Sequence, residues 1–189
     1  MTSNRSILLE RALDLFAERG YDAVGVQEIC EAAGVTKPTL YHYFGSKRGL
    51  LEMLVHERYE PFVARLAEAA EYAGDLPQSL ERVVDAFFCF ADEEPTLTRF
   101  VLALWLASPA SEAVQAVAAA GEAQRRTLEE LFERAAGDHG NMRGRQRTYA
   151  LTLLGTIYTY VALGLNGELA LDAQLVHRTV HQFSHGIYS

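Results

Sequence analysis

The residues best suited to chemistry lie together in one short run, Thr36-Lys37-Pro38-Thr39-Leu40-Tyr41-His42-Tyr43-Phe44. Leu40 and Phe44 are four apart, so on a helix they share one face and pack inward with Val35. Lys37, Thr39, His42 and Tyr43 are then left on the outer side. An ammonium, a hydroxyl, an imidazole and a phenol are the donors and flat rings that reach phosphate oxygens and base edges. Tyr41, His42 and Tyr43 stand in succession, and three consecutive residues cannot all point inward on one helix. Ser46 then caps a further helix, and with Lys47 it forms a helix N-terminus where backbone N–H groups favour a phosphate.

Two earlier elements must position this run. Leu9, Ala12, Leu13 and Phe16 follow the i, i+3, i+4, i+7 rule, which predicts a helix from about Ser6 to Arg19 that stops at Gly20. Val26, Ile29, Cys30 and Ala33 repeat the spacing and end at Gly34. Thr36 caps the third helix, with Pro38 tolerated in its first turn because the missing N–H has no partner there. Two helices joined by the tight Gly34-Val35 turn match a helix-turn-helix. The fourth helix starts at Ser46, runs through Leu50, Leu51, Leu54 and Val55 as far as Tyr72, and breaks at Gly74-Asp75.

Charge argues against nucleic acid globally and for it locally. The 189 residues carry a net charge of -8, the wrong sign for a surface that neutralises phosphates. Residues 1–50 are neutral, however, with Arg5, Arg11, Arg19, Lys37, Lys47 and Arg48 balancing Glu10, Asp14, Glu18, Asp22, Glu28 and Glu31. From Ala32 to Leu51 no acidic residue occurs. The third helix therefore sits in a positive local field.

The run from Ile29 to Leu51, with Thr36-Lys37-Pro38-Thr39-Leu40-Tyr41-His42-Tyr43-Phe44-Gly45-Ser46-Lys47 at its centre, resembles the signature of the tetracycline-repressor (TetR) family. Phe16-Ala17-Glu18-Arg19-Gly20-Tyr21 is similar to the end of that family's first helix. The resemblance covers the first quarter of the chain. It implies that Thr36, Lys37, Pro38, Thr39, Tyr41, His42 and Lys47 face DNA, with Tyr43 among them and Gln27 a further candidate at the start of the second helix. Thr39, Tyr41 and Lys47 would mainly hold phosphates, and Lys37, Pro38 and His42 would lie nearer base edges. Gly25 stands where the family often has Ser or Thr and so lacks a capping hydroxyl; Cys30 stands where Ala is frequent.

Beyond residue 50 the periodicity is again helical, at about Leu76–Asp92, Thr96–Ala107, Ser111–Ala136, Arg143–Gly164 and Asp172–Tyr188. The fold class is all-α, with about nine helices: a DNA-binding domain over 1–50, joined by a long helix to a ligand-binding and dimerisation domain over 51–189. Aromatic side chains on the central helices, Phe87, Phe88, Phe90, Phe100, Trp105, Tyr149, Tyr158 and Tyr160, either fill a core or line a cavity of drug-like size. Phe87, Phe88, Phe100, Leu104, Trp105, Tyr149 and Tyr158 are the candidate ligand contacts. By family analogy the last two helices form a dimer surface, with Tyr160, Gly164, Val176, Val180 and Phe183 as candidates and Leu175 on the same stripe. His177, His181 and His185 recur every four residues and so stack on one face. No carboxylate or Cys joins them at ligand spacing, which points to a surface or interface stripe in place of a metal site.

The run from Tyr149 to Leu165 is interrupted by Thr152, Thr156 and Thr159 and falls short of the roughly 18 unbroken apolar residues of a membrane span, so it reads as a buried helix. With no apolar leader at the N-terminus and Cys30 and Cys89 outside any ligand spacing, a cytoplasmic protein is expected. No Glu-x-x-His pair, Gly-rich phosphate loop or activated Ser or Cys occurs; the sequence predicts neither an enzyme nor a cofactor. The expected partners are a double-stranded DNA operator, a small-molecule inducer or co-repressor, and a second copy of the chain, with no membrane. The leading expectation is a repressor whose dimer spans a pseudo-palindromic operator and is released by an inducer. The alternatives are a helical small-molecule-binding protein or enzyme with a non-functional helix-turn-helix, and a helical interaction module without a ligand.

Overall fold

The computed structural model describes residues 3–186. Every regular element among them is helical, as the periodicity requires. The chain divides into two compact units: the first takes in residues 1–61 together with 96–119, the second 62–95 together with 120–189. The first unit thus extends beyond the 1–50 expected from sequence, because residues 51–61 and 96–119 belong to it.

In the first unit, α1 (Asn4–Arg19) starts two residues before the expected Ser6 because the Ser3 hydroxyl caps it, accepting from the Ser6 N–H at 3.2 Å. Leu8, Leu9, Ala12, Leu13 and Phe16 form its buried face. α2 (Val26–Ala33) buries Ile29 and Cys30 and is closed by Gly34 at φ 65°, a left-handed turn that glycine adopts without Cβ strain. α3 (Lys37–Phe44) buries Leu40 and Phe44, and α4 (Lys47–Leu54) buries Leu50, Leu51 and Leu54. α1 packs against all three of these helices. The α3–α4 corner is tight: a Cβ on Gly49 would lie 2.1 Å from the Phe44 carbonyl oxygen, so only glycine fits. α4 passes through a π-turn (Val55–Tyr59) into α5 (Glu60–Ala69) without leaving the helical path. Counting that path once, the described residues form nine helical rods. α7 (Pro95–Leu104) returns Phe100 to α1, its ring 5.9 Å from that of Phe16.

In the second unit, α6 (Leu76–Glu93) is capped by Asp75, whose carboxylate accepts from the Gln78 N–H at 2.9 Å. α9 (Gln146–Leu165) and α10 (Ala173–His185) pack on α6. Their core joins Leu80, Val83, Val84, Phe87 and Phe88 to Leu153, Ile157, Val161, Leu175, Val176 and Val180. α8 (Glu112–Ala135) begins in the first unit and ends in the second, and carries Ala118-Ala119-Ala120-Gly121 where the division falls. The expected helix limits agree with these to within a few residues; the expected end of the last helix at Tyr188 lies outside the described residues.

α9 departs from its expected burial. It is 20 residues long and apolar enough by length and composition to cross a membrane, yet only 28% of its apolar window is buried. Ala150, Leu153, Leu154, Ile157 and Val161 face the core, while Leu151, Thr152, Thr159 and Ala162 are exposed.

Candidate nucleic-acid interface

Leu40, with no exposed surface, and Phe44, 8% exposed, anchor α3 to the first unit. Anchoring by two residues four apart fixes which side of this eight-residue helix meets solvent. Thr36, Lys37, Pro38, Tyr41, His42 and Tyr43 are exposed there and Thr39 is half-buried. Tyr41 and Tyr43 retain 48% and 40% of their surface, more than rings of a core would keep. The His42 and Tyr43 rings stand edge to face, 5.3 Å apart. At the helix start the Thr36 and Thr39 hydroxyls are 3.0 Å from each other, so Thr36 spends its side chain on Thr39 and makes no capping bond to a backbone N–H. Among the described residues Lys37 forms no ion pair. The outer side of α3 therefore offers a cation, two hydroxyls, an imidazole and two phenols around the two buried anchors.

The remaining two candidates are placed differently. Gln27 is exposed on α2, where its Nε2 donates to the Glu31 carboxylate of the next turn at 2.6 Å. Gly25 precedes α2 and provides no side-chain cap, as its missing hydroxyl dictates. Lys47, expected to reach outward to a phosphate, turns inward. Its Nζ donates to the carbonyl oxygens of Tyr21 and Val24, each at 3.0 Å, and lies 4.0 Å from the centre of the Tyr21 ring. The carbonyls of the α1–α2 loop and an aromatic face compete for the cation at short range, and sequence spacing gives no sign of them. Ser46 does cap α4, accepting from the Gly49 N–H at 2.9 Å.

A sequence profile described as bacterial regulatory proteins, tetR family, matches residues 8–54, the stretch that contains this whole arrangement. Over that stretch the chain is similar to the TetR family. It is a DNA-binding transcriptional regulator. FasR of Mycolicibacterium smegmatis, an HTH-type transcriptional activator, is 29% identical over 182 residues, covering 96% of this chain and 81% of FasR. The repressor KstR2 of Rhodococcus jostii is 32% identical over 83 residues, 44% of this chain and 41% of KstR2. Among solved structures, the regulator FadR of Bacillus subtilis in complex with stearoyl-CoA superposes with a TM-score of 0.77 at 22% identity, covering 96% of this chain and 98% of FadR. That likeness is one of fold.

The expected ligand contacts are divided between the two units. Phe100, Leu104 and Trp105 belong to the first unit. Phe100 and Leu104 line a surface cavity of about 320 Å³ there with Phe16 and Tyr21, and Trp105 is 61% exposed. In the second unit Phe88 is sealed in the core. Phe87 meets Tyr158 edge to face at 6.0 Å and Phe62 at 5.1 Å, and Phe62 stacks on Phe90 at 4.2 Å. The Tyr158 hydroxyl accepts from Gln124, and burial pushes its phenol above the usual range. Tyr149 lies apart from that group, against Phe132 and Phe183. Phe62 and Gln124 were missed as companions of Phe87, Phe90 and Tyr158 because they come from two other helices, α5 and α8.

The expected dimer stripe also needs correcting. Val176 and Val180 are 6% and 3% exposed, held inside the second unit against α6, and Phe183 is half-buried on Phe132. An apolar stripe on an amphipathic helix fits an intramolecular core as well as an interface, and here the core takes it. Tyr160 and Gly164 are half-buried on α9, and the Leu171 side chain lies against Gly164. The α10 surface left outside carries His177, His181 and His185. The last two rings stack at 4.4 Å, His177 pairs with Glu81 at 2.9 Å, and His185 Nδ1 donates to the His181 carbonyl. Among the described residues no three His, Cys, Asp or Glu side chains are arranged to hold a metal ion.

Proposed function

We propose that this regulator is a cytoplasmic repressor that holds a pseudo-palindromic operator as a homodimer and releases it when a small apolar molecule binds its second unit. The observation that carries the DNA half is the outward face of α3: Lys37, Pro38, Thr39 and His42 meet base edges and nearby phosphates, and Tyr41 and Tyr43 flank them on the backbone. A dimer presents two such helices about 34–36 Å apart, one turn of B-DNA, so each copy reads one half-site. The exposed side of α9 supports the second copy. Leu151 and Ala162 are apolar groups left in water on a helix whose other side is a core, and covering them favours association.

The ligand half rests on the aromatic group around Phe62, Phe87, Phe90 and Tyr158, where Gln124 and Tyr158 supply polar atoms beside flat apolar walls. Long-chain acyl compounds suit such walls, and FadR of Bacillus subtilis holds stearoyl-CoA. A ligand that binds one arrangement of the helices better than another shifts the population away from the arrangement that fits DNA. The test is selection of duplexes from a random pool by the purified protein, followed by titration of the selected duplex with stearoyl-CoA. Recovery of an inverted repeat, and its release by micromolar acyl-CoA but not by free CoA, is the expected outcome. Selection of no sequence refutes the operator, and indifference to acyl-CoA refutes the ligand class.

A further inference from the structure

Tyr21, in the loop between α1 and α2, is only 3% exposed and is held from three directions. Its ring packs on Phe16, with centroids 5.1 Å apart. Its carbonyl oxygen and its ring face hold the Lys47 ammonium, at 3.0 Å and 4.0 Å. Its hydroxyl donates to Oε2 of Glu112 at 2.8 Å, across 91 positions in sequence. Glu112 is the first residue of α8, and the Ser111 hydroxyl just before it donates to Asp22 at 3.4 Å, so the chain at the head of α8 touches the loop twice. Burial, and then the bond to Glu112, push the Tyr21 phenol above its usual range, so it remains a donor at physiological pH.

Lys47 needs such a seat. It is the first residue of α4, where the helix dipole disfavours a positive charge. Two carbonyl oxygens and an aromatic face offset that cost. Only Gly45 and Ser46 separate α4 from the end of α3, so a change at the head of α4 moves the DNA-facing helix.

We propose that Tyr21 and Glu112 are positioning residues for DNA binding: Glu112 of α8 holds the Tyr21 hydroxyl, and Tyr21 seats Lys47 next to the recognition helix. The proposal rests on the DNA-binding reading of α3 and adds to it a route by which the first turn of α8 sets that helix.

Lys37 and Lys47 are the only lysines in the sequence, which gives a test that does not depend on DNA. Brief labelling of the full chain with an amine-reactive acetylating reagent, read by mass spectrometry, compares Lys47 with the exposed Lys37 as internal reference. In the parent Lys47 is protected. Tyr21→Phe keeps the ring and removes the hydroxyl, and Glu112→Ala removes its partner. Each raises Lys47 labelling severalfold and weakens binding to a duplex selected by the parent about three- to tenfold, with the salt dependence unchanged because no phosphate contact is lost. Glu112→Gln, which keeps an acceptor oxygen, restores both readouts, and the double variant is no worse than either single one. Lys47 labelled as readily as Lys37 in the parent, or unmoved in both variants, overturns the proposal, as does a double variant whose losses multiply. A parent that labels as expected but selects no duplex overturns the DNA-binding reading and leaves the seat standing.

Discussion

α3 and α9 each bury one side and leave the other in water, but the chemistry on the two outer sides is opposite. α3 offers solvent a lysine, an imidazole, hydroxyls and phenols around two buried anchors. α9 offers leucine, alanine and threonine around a buried apolar face. A polar outer face is already content in water and binds only something that replaces that water with matched hydrogen bonds and charge, as a nucleic acid does. An apolar outer face gains simply by being covered, and a second copy of the same helix is enough. The difference teaches that exposure alone does not identify a partner; what is exposed does.

Removing an anchor breaks the α3 side of the contrast most severely. Leu40→Ala deletes a fully buried side chain and costs ~2–5 kcal/mol, read as a fall in the thermal unfolding midpoint with loss of DNA binding. A stability within 1 kcal/mol of the parent would show that α3 is not held as described. Leu151→Glu attacks the other side: a charge on the outer face of α9 weakens a dimer by at least about tenfold, seen as monomer by sedimentation at concentrations where the parent is a dimer, with helical content unchanged. A dimer that persists would move the interface away from α9. Tyr41→Ala and Lys37→Ala each weaken DNA binding by ~1–3 kcal/mol without altering stability, and Lys37→Ala also reduces the slope of log affinity against log salt by about 0.9. The same substitutions leave the oligomeric state untouched, which keeps the two faces separable.

The smallest effect is electrostatic and tests the scaffold behind α3. The Arg5 guanidinium, hydrogen-bonded to Glu57, holds that carboxyl below its usual range. The folded value is depressed, so the pair stabilises the protein at pH above the unfolded carboxyl's value and stops doing so as pH falls through the folded one. With both side chains about a third exposed, the contribution is under about 1 kcal/mol. Glu57→Gln lowers the unfolding midpoint slightly at neutral pH, and the gap to the parent closes in acid. A gap that widened in acid would contradict the sign.

Much of the fold was legible because periodicity is local. Leu9 to Phe16 and Val26 to Ala33 announce α1 and α2, and the spacing of Leu40 and Phe44 orients α3. What periodicity could not tell was which partner each apolar face meets. The Val176 and Val180 stripe was visible, yet whether α6 or a second chain covers it depends on tertiary packing. Phe100 was grouped with Phe87 as a nearby aromatic, although α7 returns to α1 in the first unit. The inward turn of Lys47 and the bond from Tyr21 to Glu112 depend on carbonyl directions and on a contact 91 positions away, neither of which leaves a mark in spacing.

α8 passes from the first unit to the second within a single helix. The helix has no proline, cap or break from Glu112 to Ala135, yet where the two units divide it carries three alanines and Gly121. A glycine there costs about 1 kcal/mol of helical preference relative to alanine. Gly121 is thus the position of α8 with the lowest intrinsic helical preference, and it follows directly on three residues with the highest.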